Sequence, residues 1–419
     1  MIACLQDICH LITDGKHGDC QNEEGSGYYF ISCKDVKDGW IDYSGARQIT
    51  EADYRDTHKR TQLEPNDILI TNSGTIGRMA LVPSKPETDR TTFQKSVAII
   101  KPNSAYAAPQ WLYYCLKATK DELIAWAGGT AQKNLLLRDL RAFKVQVPPL
   151  PTQHKIAGIL SAYDDLIENN TRRMKILEEM AQRIYREWFV HFRYPGHEKD
   201  KLVDSRTELG MIPEGWEVEK LSKLVGTQYG YTESASGDKI GPKFVRGTDI
   251  NKTSYIKWDA VPYCRIESAE YPKYKLQPGD IVVIRMADPG KAGIIEKEIE
   301  AVFASYLIRF GIRSRSLSPY YLFYFLMSER YQNYASGAST GTTRKSASAG
   351  VLTDIDILIP NDNIREQFEG QITALRQMLT NLLEKNANLR KTRDLLLPKL
   401  ISGEIDVSEL DIETGGSNP

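Results

Sequence analysis

The 419-residue sequence has few cysteines, no long apolar run and no excess of one charge. Its six cysteines include no Cys-x-x-Cys pair, which is typical of a reducing compartment. No stretch reaches the roughly 20 apolar residues of a membrane-spanning helix, and the first residues lack the basic region of a secretory signal. Lys and Arg total 54 against 55 Asp and Glu, without the basic excess common among nucleic-acid binders. These absences predict a cytoplasmic globular protein with no membrane contact, in which any nucleic-acid binding depends on local basic clusters.

Motifs for catalysis are also missing. There is no GxxxxGK[ST] phosphate loop and no GxGxxG after a strand, which argues against nucleotide and dinucleotide sites. The segment Ala-Asp-Pro-Gly at 287–290 partly matches the Asn/Asp-Pro-Pro-aromatic motif of amino-methyltransferases. It lacks the second proline and the aromatic residue that would stack on a flipped base. The sequence predicts that this chain is not an enzyme.

A metal site is the remaining chemical possibility. One N-terminal group of Cys and His residues has no familiar zinc spacing, so core or loop roles are favoured for Cys4, Cys9, His10, His17 and Cys20. Asp67 and Asp280 each lie in a Leu-x-Pro-x-Asp-Ile turn, where a carboxylate more often caps the turn than binds a metal. No metal is expected.

The chain is an internal duplication with an offset of about 210–214 residues. Matching segments occur in the same order: LEPNDILI (63–70) with LQPGDIVV (276–283), APQWLYYCL (108–116) with SPYYLFYFL (318–326), GTAQKN (129–134) with GTTRKS (341–346), and VQVPP (145–149) with ILIPN (357–361). In each half, short β-branched runs predict strands, the Pro-led aromatic segment predicts a short helix, and a long helix follows. The expected fold class is α/β (α+β), with two tandem pseudo-symmetric domains.

The two long helices have the strongest periodicity in the chain. Apolar residues recur at heptad spacing after a Pro-rich break at 148–151, where Thr152 is a plausible N-cap. The seam residues are Ile156, Leu160, Tyr163, Ile167, Met174, Leu177, Ala181, Ile184 and Trp188 in the first helix, and Phe368, Ile372, Leu375, Leu379, Leu382, Leu389 and Leu396 in the second.

A polar residue interrupts each seam, Asn170 in the first helix and Asn386 in the second, and Arg393 also lies in the second seam. Matching lengths and the seam asparagines favour mutual pairing as an antiparallel coiled coil over separate packing of each helix on its own domain. The expected organisation is domain 1 at 1–150, helix 1 at 151–195, a linker with domain 2 at 196–362, helix 2 at 363–403 and a tail at 404–419.

Three kinds of loop are candidate DNA contacts. Glycines allow close approach to a duplex, and Gln, Asn, Arg and Lys read base edges or phosphates. The Gly-Thr loops supply Thr130, Gln132, Lys133, Asn134, Thr342, Thr343, Arg344 and Lys345. The turns after a strand supply Asn72, Ser73, Thr75, Arg78, Arg285 and Lys291, and the segment 243–252 adds Arg246 between Lys243 and Lys252.

Solvated loops and plain hairpin turns are the alternative interpretation of these segments. Recurrence of Gly-Thr-x-x-Lys in both halves favours binding. The intervening residues differ almost everywhere between the halves, so two copies of one fold would recognise two different short sequences.

The run at 148–192 is similar to the central conserved region of type I restriction–modification specificity subunits, and 395–407 resembles the C-terminal conserved region of that family. The segment GMIPEGWEVEKLSKL (210–224) looks like the start of a second target-recognition domain in the same family. This resemblance covers nearly the whole chain.

The resemblance implies two target-recognition domains, each reading one half of a split double-stranded DNA site, separated by helices that act as a ruler. Two methyltransferase subunits would dock on those helices, joined by restriction/translocase subunits. S-adenosylmethionine, ATP and Mg²⁺ would be used by those partners, and no cofactor is expected in this chain.

One departure from the repeat concerns the N-terminus, because Trp216 aligns just before Met1. The first half thus lacks the Ile-Pro-x-Gly-Trp lead-in. Three explanations are open: the lead-in is dispensable, the start is truncated, or the tail after Ile405 folds back beside the N-terminus and closes a circular pseudo-symmetry. The last is our hypothesis. Two other functions stay open: the recognition subunit of a related split-site restriction enzyme, and a coiled-coil adaptor that binds only protein. DNA binding that weakens steeply with salt would argue against the adaptor.

Overall fold

A computed structural model describes residues 1–127, 134–339 and 345–412. The chain divides into two compact units, one formed by Met1–Glu168 with Asn388–Pro419 and the other by Asn169–Ala387. Within the described ranges, none of the helices combines the length and the apolar character needed to cross a membrane.

The first repeat consists of short strands and helices followed by one long helix. In chain order its elements are β1 (Ile2–Cys4), α1 (Leu5–Ile8), β2 (Cys9–Asp14), β3 (Tyr29–Ile31), β4 (Arg47–Gln48), α2 (Glu51–Thr61), β5 (Ile68–Thr71), β6 (Met79–Leu81), β7 (Thr91–Phe93), β8 (Val97–Pro102), α3 (Pro109–Ala118), α4 (Lys120–Ala125), α5 (Leu137–Ala142), β9 (Lys144–Gln146) and α6 (Leu150–Phe189).

The second repeat follows a similar order after a short hairpin, with α8 and α9 where the first repeat has β4 and α2. Its elements are β10 (Leu202–Asp204), β11 (Met211–Pro213), β12 (Glu217–Lys220), α7 (Leu221–Leu224), β13 (Val225–Tyr229), β14 (Lys243–Val245), α8 (Gly247–Ile250), α9 (Tyr271–Tyr274), β15 (Ile281–Ile284), β16 (Ala292–Ile294), β17 (Ala301–Phe303), β18 (Leu307–Ile312), α10 (Pro319–Met327), α11 (Glu329–Ala338), α12 (Ala349–Thr353), β19 (Asp356–Ile359) and α13 (Asp362–Ser402).

The sheets repeat with the same topology, so the duplication inferred from the sequence is confirmed. The first unit has an antiparallel sheet in the order β2-β8-β5-β6, and the second has β13-β18-β15-β16. Strand β3 pairs in parallel with β7, as β14 does with β17. Strand β1 pairs with β9 in antiparallel register, as β12 does with β19.

The central strands β5 and β15 are buried at every position because both faces of each sheet are covered. In β5, Ile68 and Ile70 pack in the cluster that contains α3, whereas Leu69 belongs to the cluster on the other face, with β3 and β7. Strand β15 divides in the same way, with Ile281 and Val283 on one face. The aromatic helices α3 and α10 begin with Pro at the first position, as predicted, where a missing N–H is harmless.

Helix α6 begins at Leu150, so the prediction that Thr152 is its N-cap is wrong. Pro151 lies inside the first turn, which tolerates proline because the N–H groups there have no partner within the helix. Buried Gln153 anchors this turn by accepting a hydrogen bond from the Ala108 amide at 2.7 Å. The helix ends at Phe189 rather than near residue 195.

The long helices pack together in antiparallel direction within each unit, as the heptads predict. In the first unit, Leu160 shares a core cluster with Leu397, and Asp164 forms an ion pair with Arg393. In the second unit, Met174 clusters with Leu379 and Leu382. There the Asn170 side-chain amide donates to the Asn386 carbonyl at 2.9 Å, and both residues are buried.

The segment after α13 returns to the core of the first repeat, as hypothesised. Val407 is buried in the same cluster as Leu5 and Ile8. The Lys155 ammonium donates to the Ser408 carbonyl at 2.6 Å. The C-terminal segment thus contributes to the first unit although it follows the second repeat in sequence.

Candidate nucleic-acid interface

The turn after β5 forms a tight hairpin to β6. The amide of Thr71 donates to the Arg78 carbonyl and the amide of Gly77 donates to the Thr71 carbonyl, both at 2.9 Å. Gly74 and Gly77 have φ angles of 75° and 82°, a left-handed conformation that glycine adopts without strain. Of the predicted contacts in this hairpin, Thr75 is exposed and Arg78 is half-buried.

Two other loops of the first unit meet this hairpin. Ser73 forms an antiparallel bridge with Asn134, and the Leu135 amide donates to the Asn72 carbonyl at 2.9 Å. The Asn72 amide donates to the carbonyl of Ser96, in the turn between β7 and β8, at 3.1 Å. The structure therefore joins the predicted hairpin to the end of the Gly-Thr loop and to a turn that was not predicted.

The second unit repeats this arrangement bond for bond. Met286 forms an antiparallel bridge with Ser346, and the amide of Ala347 donates to the Arg285 carbonyl at 2.9 Å. The Arg285 amide donates to the carbonyl of Tyr306, in the turn between β17 and β18, at 2.9 Å. Three loops are thus joined by the same backbone hydrogen bonds in both units.

A fourth segment follows the parallel strand pair in each unit. The Asp35 carboxylate accepts from the Ser32 amide at 2.8 Å, and the Asp249 carboxylate accepts from the Arg246 amide at 2.9 Å. The Arg246 guanidinium also donates to Asp249, from Nε at 3.1 Å and Nη2 at 3.0 Å. This intramolecular pair holds Arg246, one of the predicted DNA contacts, in one orientation.

These segments define two surfaces of equivalent positions and different side chains. The first loop face consists of Ser32, Asn72, Ser73, Thr75 and Ser96, and the second loop face consists of Arg246, Arg285, Met286, Asp288 and Tyr306. Small hydroxyl and amide groups on the first face are replaced by cationic, aromatic, thioether and acidic groups on the second.

The second loop face contains a cleft of about 480 Å³. Tyr231 and Phe244 line the cleft together with Met286 and Tyr306, and Tyr306 is 54% exposed. The Arg285 guanidinium lies 4.9 Å from the centre of the Tyr229 ring, in a cation–π contact. An apolar floor beside fixed guanidinium groups can make both apolar and hydrogen-bonding contacts with a ligand.

The other predicted cations differ in availability. Lys291 and Lys345 are exposed, and the Lys345 ammonium donates to the Ser336 hydroxyl at 3.0 Å. Lys243 is turned inward, because its ammonium donates to the Val261 carbonyl at 2.7 Å and lies 4.1 Å from the Tyr263 ring centre. Lys252 is exposed near the start of the loop after α8.

Several predicted contacts lie outside the described residues, namely Thr130, Gln132, Lys133, Thr342, Thr343 and Arg344. The sequence reasoning missed Ser96 and Tyr306, together with the exposed neighbour Lys95, because their turn contains neither glycine nor a repeated cation. The match of TFQKS (92–96) with VFASY (302–306) could have identified them.

Asp67 and Asp280 cap their turns, as predicted. Each carboxylate accepts from the backbone amide three residues earlier, at 2.7 Å and 2.9 Å respectively. Each also pairs with a cation on the neighbouring strand: Lys101 lies 2.8 Å from Asp67, and Arg309 lies 3.3 Å from Asp280. A cation in that place opposes metal binding by these acids.

The N-terminal cysteines do not assemble a metal site. Burial raises the pKa of the Cys9 thiol to about 12, which disfavours the thiolate that metals require. Among the residues that the structure describes, no three or more His, Cys, Asp or Glu side chains lie close enough to hold a metal ion.

Comparison with known proteins shows which family the chain resembles. Residues 1–179 match the family described as "Type I restriction modification DNA specificity domain". The type I restriction enzyme MjaVIII specificity subunit of Methanocaldococcus jannaschii is 25% identical over 97% of this chain and 93% of its own length. The chain is thus similar to type I restriction–modification specificity subunits over nearly its whole length. The MjaIX specificity subunit of the same organism is 26% identical over 87% of this chain and 83% of its own length.

The fold agrees with that similarity. The crystal structure of a type I restriction–modification S subunit from M. genitalium superposes with a TM-score of 0.55 and 14% identity, covering 96% of both chains. The predicted fold class, with two repeats and two long helices that pack together, is therefore confirmed. The curated relatives are named specificity subunits of restriction enzymes.

Proposed function

We propose that the chain is the DNA-specificity subunit of a type I restriction–modification complex and that each repeat reads one half of a bipartite, asymmetric site. The observation that carries this proposal is the pair of loop faces, which share one hydrogen-bonded backbone arrangement and differ in side chains. A constant frame places each face against DNA in the same way, and different side chains then select different bases.

The side chains favour different bases in the two half-sites. Arg285 and Arg246 suit guanine, and the apolar edges of Tyr306 and Met286 suit the methyl group of thymine. Thr75 is exposed on the first face, and its hydroxyl can donate to or accept from a base edge. Exposed Lys291 and Lys345 suit phosphates, which position the protein without reading sequence.

The long helices are the proposed docking surface for two methyltransferase subunits. Large apolar side chains are exposed along them: Leu166 and Leu395 in the first unit, and Ile176, Met180 and Met378 in the second, each 45–59% exposed. Exposed apolar groups on a paired helix surface are typical of protein–protein contacts. Methyltransferase and restriction/translocase subunits would bring S-adenosylmethionine, ATP and Mg²⁺, and this chain would bind none of them.

The DNA-recognition role is tested by the methylome of cells that carry this gene and its methyltransferase partner, compared with a deletion of this gene alone. We expect the deletion to remove one gapped, asymmetric methylated motif. An unchanged methylome, with the partner present and active, would instead favour a protein-only coiled-coil adaptor.

The docking role is tested with the double variant Ile176→Glu, Met180→Glu, which places two charges on the exposed apolar positions of α6. Co-purification with the methyltransferase should be lost while the chain stays folded. The matched control is Lys175→Glu, a neighbouring exposed polar position that should retain the partner. If the double variant retained the methyltransferase as well as the control does, the docking surface would not include these two positions.

A further inference from the structure

Helix α13 carries an arginine that is almost completely buried in the second unit. Arg376 is 1% exposed, and its guanidinium makes four hydrogen bonds. Nε and Nη2 donate to the two carboxylate oxygens of Glu296 at 2.7 Å and 2.5 Å, and Nη1 and Nη2 donate to the hydroxyl and carbonyl oxygens of Ser254, both at 2.9 Å. The guanidinium also lies 5.5 Å from the centre of the Phe323 ring.

The partners of Arg376 connect the helices to the domain that carries the second loop face. Glu296 follows strand β16, which continues the hairpin from Arg285 and Met286, and it also accepts from the Tyr320 hydroxyl at 3.1 Å. Ser254 lies in the loop after α8, and its amide donates to Glu178 on α6 at 3.1 Å. One network thus joins both long helices to the hairpin and to a loop beside it.

The first unit has a different network at the equivalent position. The repeat alignment places Asp164 opposite Arg376 and Pro83 opposite Glu296. Asp164 accepts from the Tyr114 hydroxyl at 2.7 Å and pairs with Arg393 on the other long helix. In the first unit the ion pair therefore joins the two long helices to each other. In the second unit the ion pair joins a long helix to the recognition domain.

Buried ion pairs are a poor way to gain stability, because apolar residues of similar volume often stabilise as well or better. Their best-attested benefit is a defined geometry. A planar guanidinium that makes two parallel hydrogen bonds to a carboxylate is restricted to a narrow range of orientations. Apolar side chains in contact can shift past one another more freely. Although burial opposes the charged form, the hydrogen bonds to Glu296 hold the pKa of Arg376 above its usual value.

We propose that Arg376 is a positioning residue that fixes the second DNA-reading domain in one orientation on the long helices and thereby makes the complex strict about the gap between its half-sites. The proposal rests on the proposed function. Changing the gap by one base pair shifts one half-site by about 3.4 Å and rotates it by about 35° around the duplex. A domain locked by Arg376 and Glu296 cannot follow that change, and a loosened domain can.

The experiment uses the full chain with its methyltransferase partner on duplexes that carry the wild-type target with the native gap, one base pair fewer or one more. The test variant is Arg376→Met with Glu296→Gln, which removes both charges so that neither stays buried and unpaired. Arg376→Lys is the conservative variant, which keeps the charge without the fork. Arg390→Met, at an exposed position of the same helix, is the matched control.

We expect the double variant to reduce the preference for the native gap at least fivefold, with the bases read in each half-site unchanged, and Arg376→Lys to lie between it and the wild type. The control should keep the full preference. An unchanged gap preference in the double variant, with native-site methylation retained, would overturn the proposal. If the double variant fails to fold, a wild-type preference in Arg376→Lys would overturn it equally. A wild-type chain that directs methylation to no gapped site would instead refute the proposed function.

Discussion

The two repeats have the same frame and different faces. In both, one hairpin accepts a backbone hydrogen bond from the Gly-Thr loop segment and donates one to a turn, which lies between β7 and β8 in the first repeat and between β17 and β18 in the second. None of those bonds involves a side chain. The position of Ser96 in the first repeat can therefore be occupied by Tyr306 in the second, and that of Asn72 by Arg285, with the same backbone hydrogen bonds. The difference teaches that binding specificity can diverge between the copies while the fold stays constant.

The copies also differ in how they are attached to the long helices. The second repeat is tied through the Arg376–Glu296 pair, and the first has Pro83 where Glu296 would be. The helix seam is asymmetric too, because Asn170 aligns with Leu382 and Asn386 aligns with Met174. The duplication is thus conserved in the sheets and has diverged in the loop faces and the helix contacts.

The largest effects should come from the shared frame. Ile100 and Phe310 occupy equivalent positions in β8 and β18, and both are fully buried. We expect Phe310→Ala to lower the free energy of unfolding of its unit by about 3–5 kcal/mol and Ile100→Ala by about 2–5 kcal/mol. Urea titration of each variant measures this, and losses under 1 kcal/mol would show that the two strands are not equivalent core elements.

The buried asparagine pair should give an intermediate effect and test the asymmetry of the helices. Asn170→Ala removes the amide that donates to the buried Asn386 side-chain oxygen, so we expect a loss of about 1–3 kcal/mol in the free energy of unfolding. Replacing both residues by leucine should be nearly neutral, since no polar group then stays buried alone. A double-mutant cycle measures the coupling, and additive losses would contradict a direct hydrogen bond.

The loop faces should alter recognition with little effect on stability. Tyr306→Ser gives the second face the residue of the first, and we expect discrimination in one half-site to change by about 1–3 kcal/mol. Ser96→Tyr is the reciprocal variant and should affect the other half-site. Stability should stay within about 0.5 kcal/mol for Tyr306→Ser. Ser96→Tyr also removes the hydroxyl that accepts from the Cys33 amide at 3.2 Å, so we expect it to cost about 1 kcal/mol. Competition binding with single-base variants of the target measures the discrimination in each half-site. An equal effect of one variant on both half-sites would contradict the assignment of one half-site to each loop face.

The smallest effect should come from an exposed cation beside the second face. Lys345→Ala should weaken binding about equally for all sequences and reduce the slope of log affinity against log salt by about 1, as expected for one phosphate contact. Lys291→Ala is the companion variant at another exposed cation beside this face. A loss restricted to one base pair of the half-site would instead identify Lys345 as a base contact.

Much of the fold could be predicted from the sequence because it is written twice. The LxPxDI turns, the Pro-led aromatic helices and the heptads each recur at the same offset, so every local pattern had independent support. The prediction that Thr152 caps α6 was wrong because the Pro-rich segment before it was interpreted as a loop. Pro151 instead lies in the first turn of the helix, where proline is tolerated.

The candidate site was predictable only where it has a local signal. The hairpins carry glycines and cations, so Asn72, Thr75 and Arg285 could be predicted as candidate DNA contacts. Tyr306 lies in a turn with neither, and only the backbone hydrogen bonds place it on the face. Arg376 and Glu296 are 80 residues apart, and no periodic pattern links an arginine in a helix to a glutamate after a strand.

The most direct test of the central claim is the methylome of cells that express, with the methyltransferase partner, the wild-type chain, Tyr306→Ser or Thr75→Ala. The account predicts one gapped motif for the wild type, a change confined to one half of the motif for Tyr306→Ser, and a change confined to the other half for Thr75→Ala. Variants that altered the same half, or both halves together, would contradict the assignment of one half-site to each repeat.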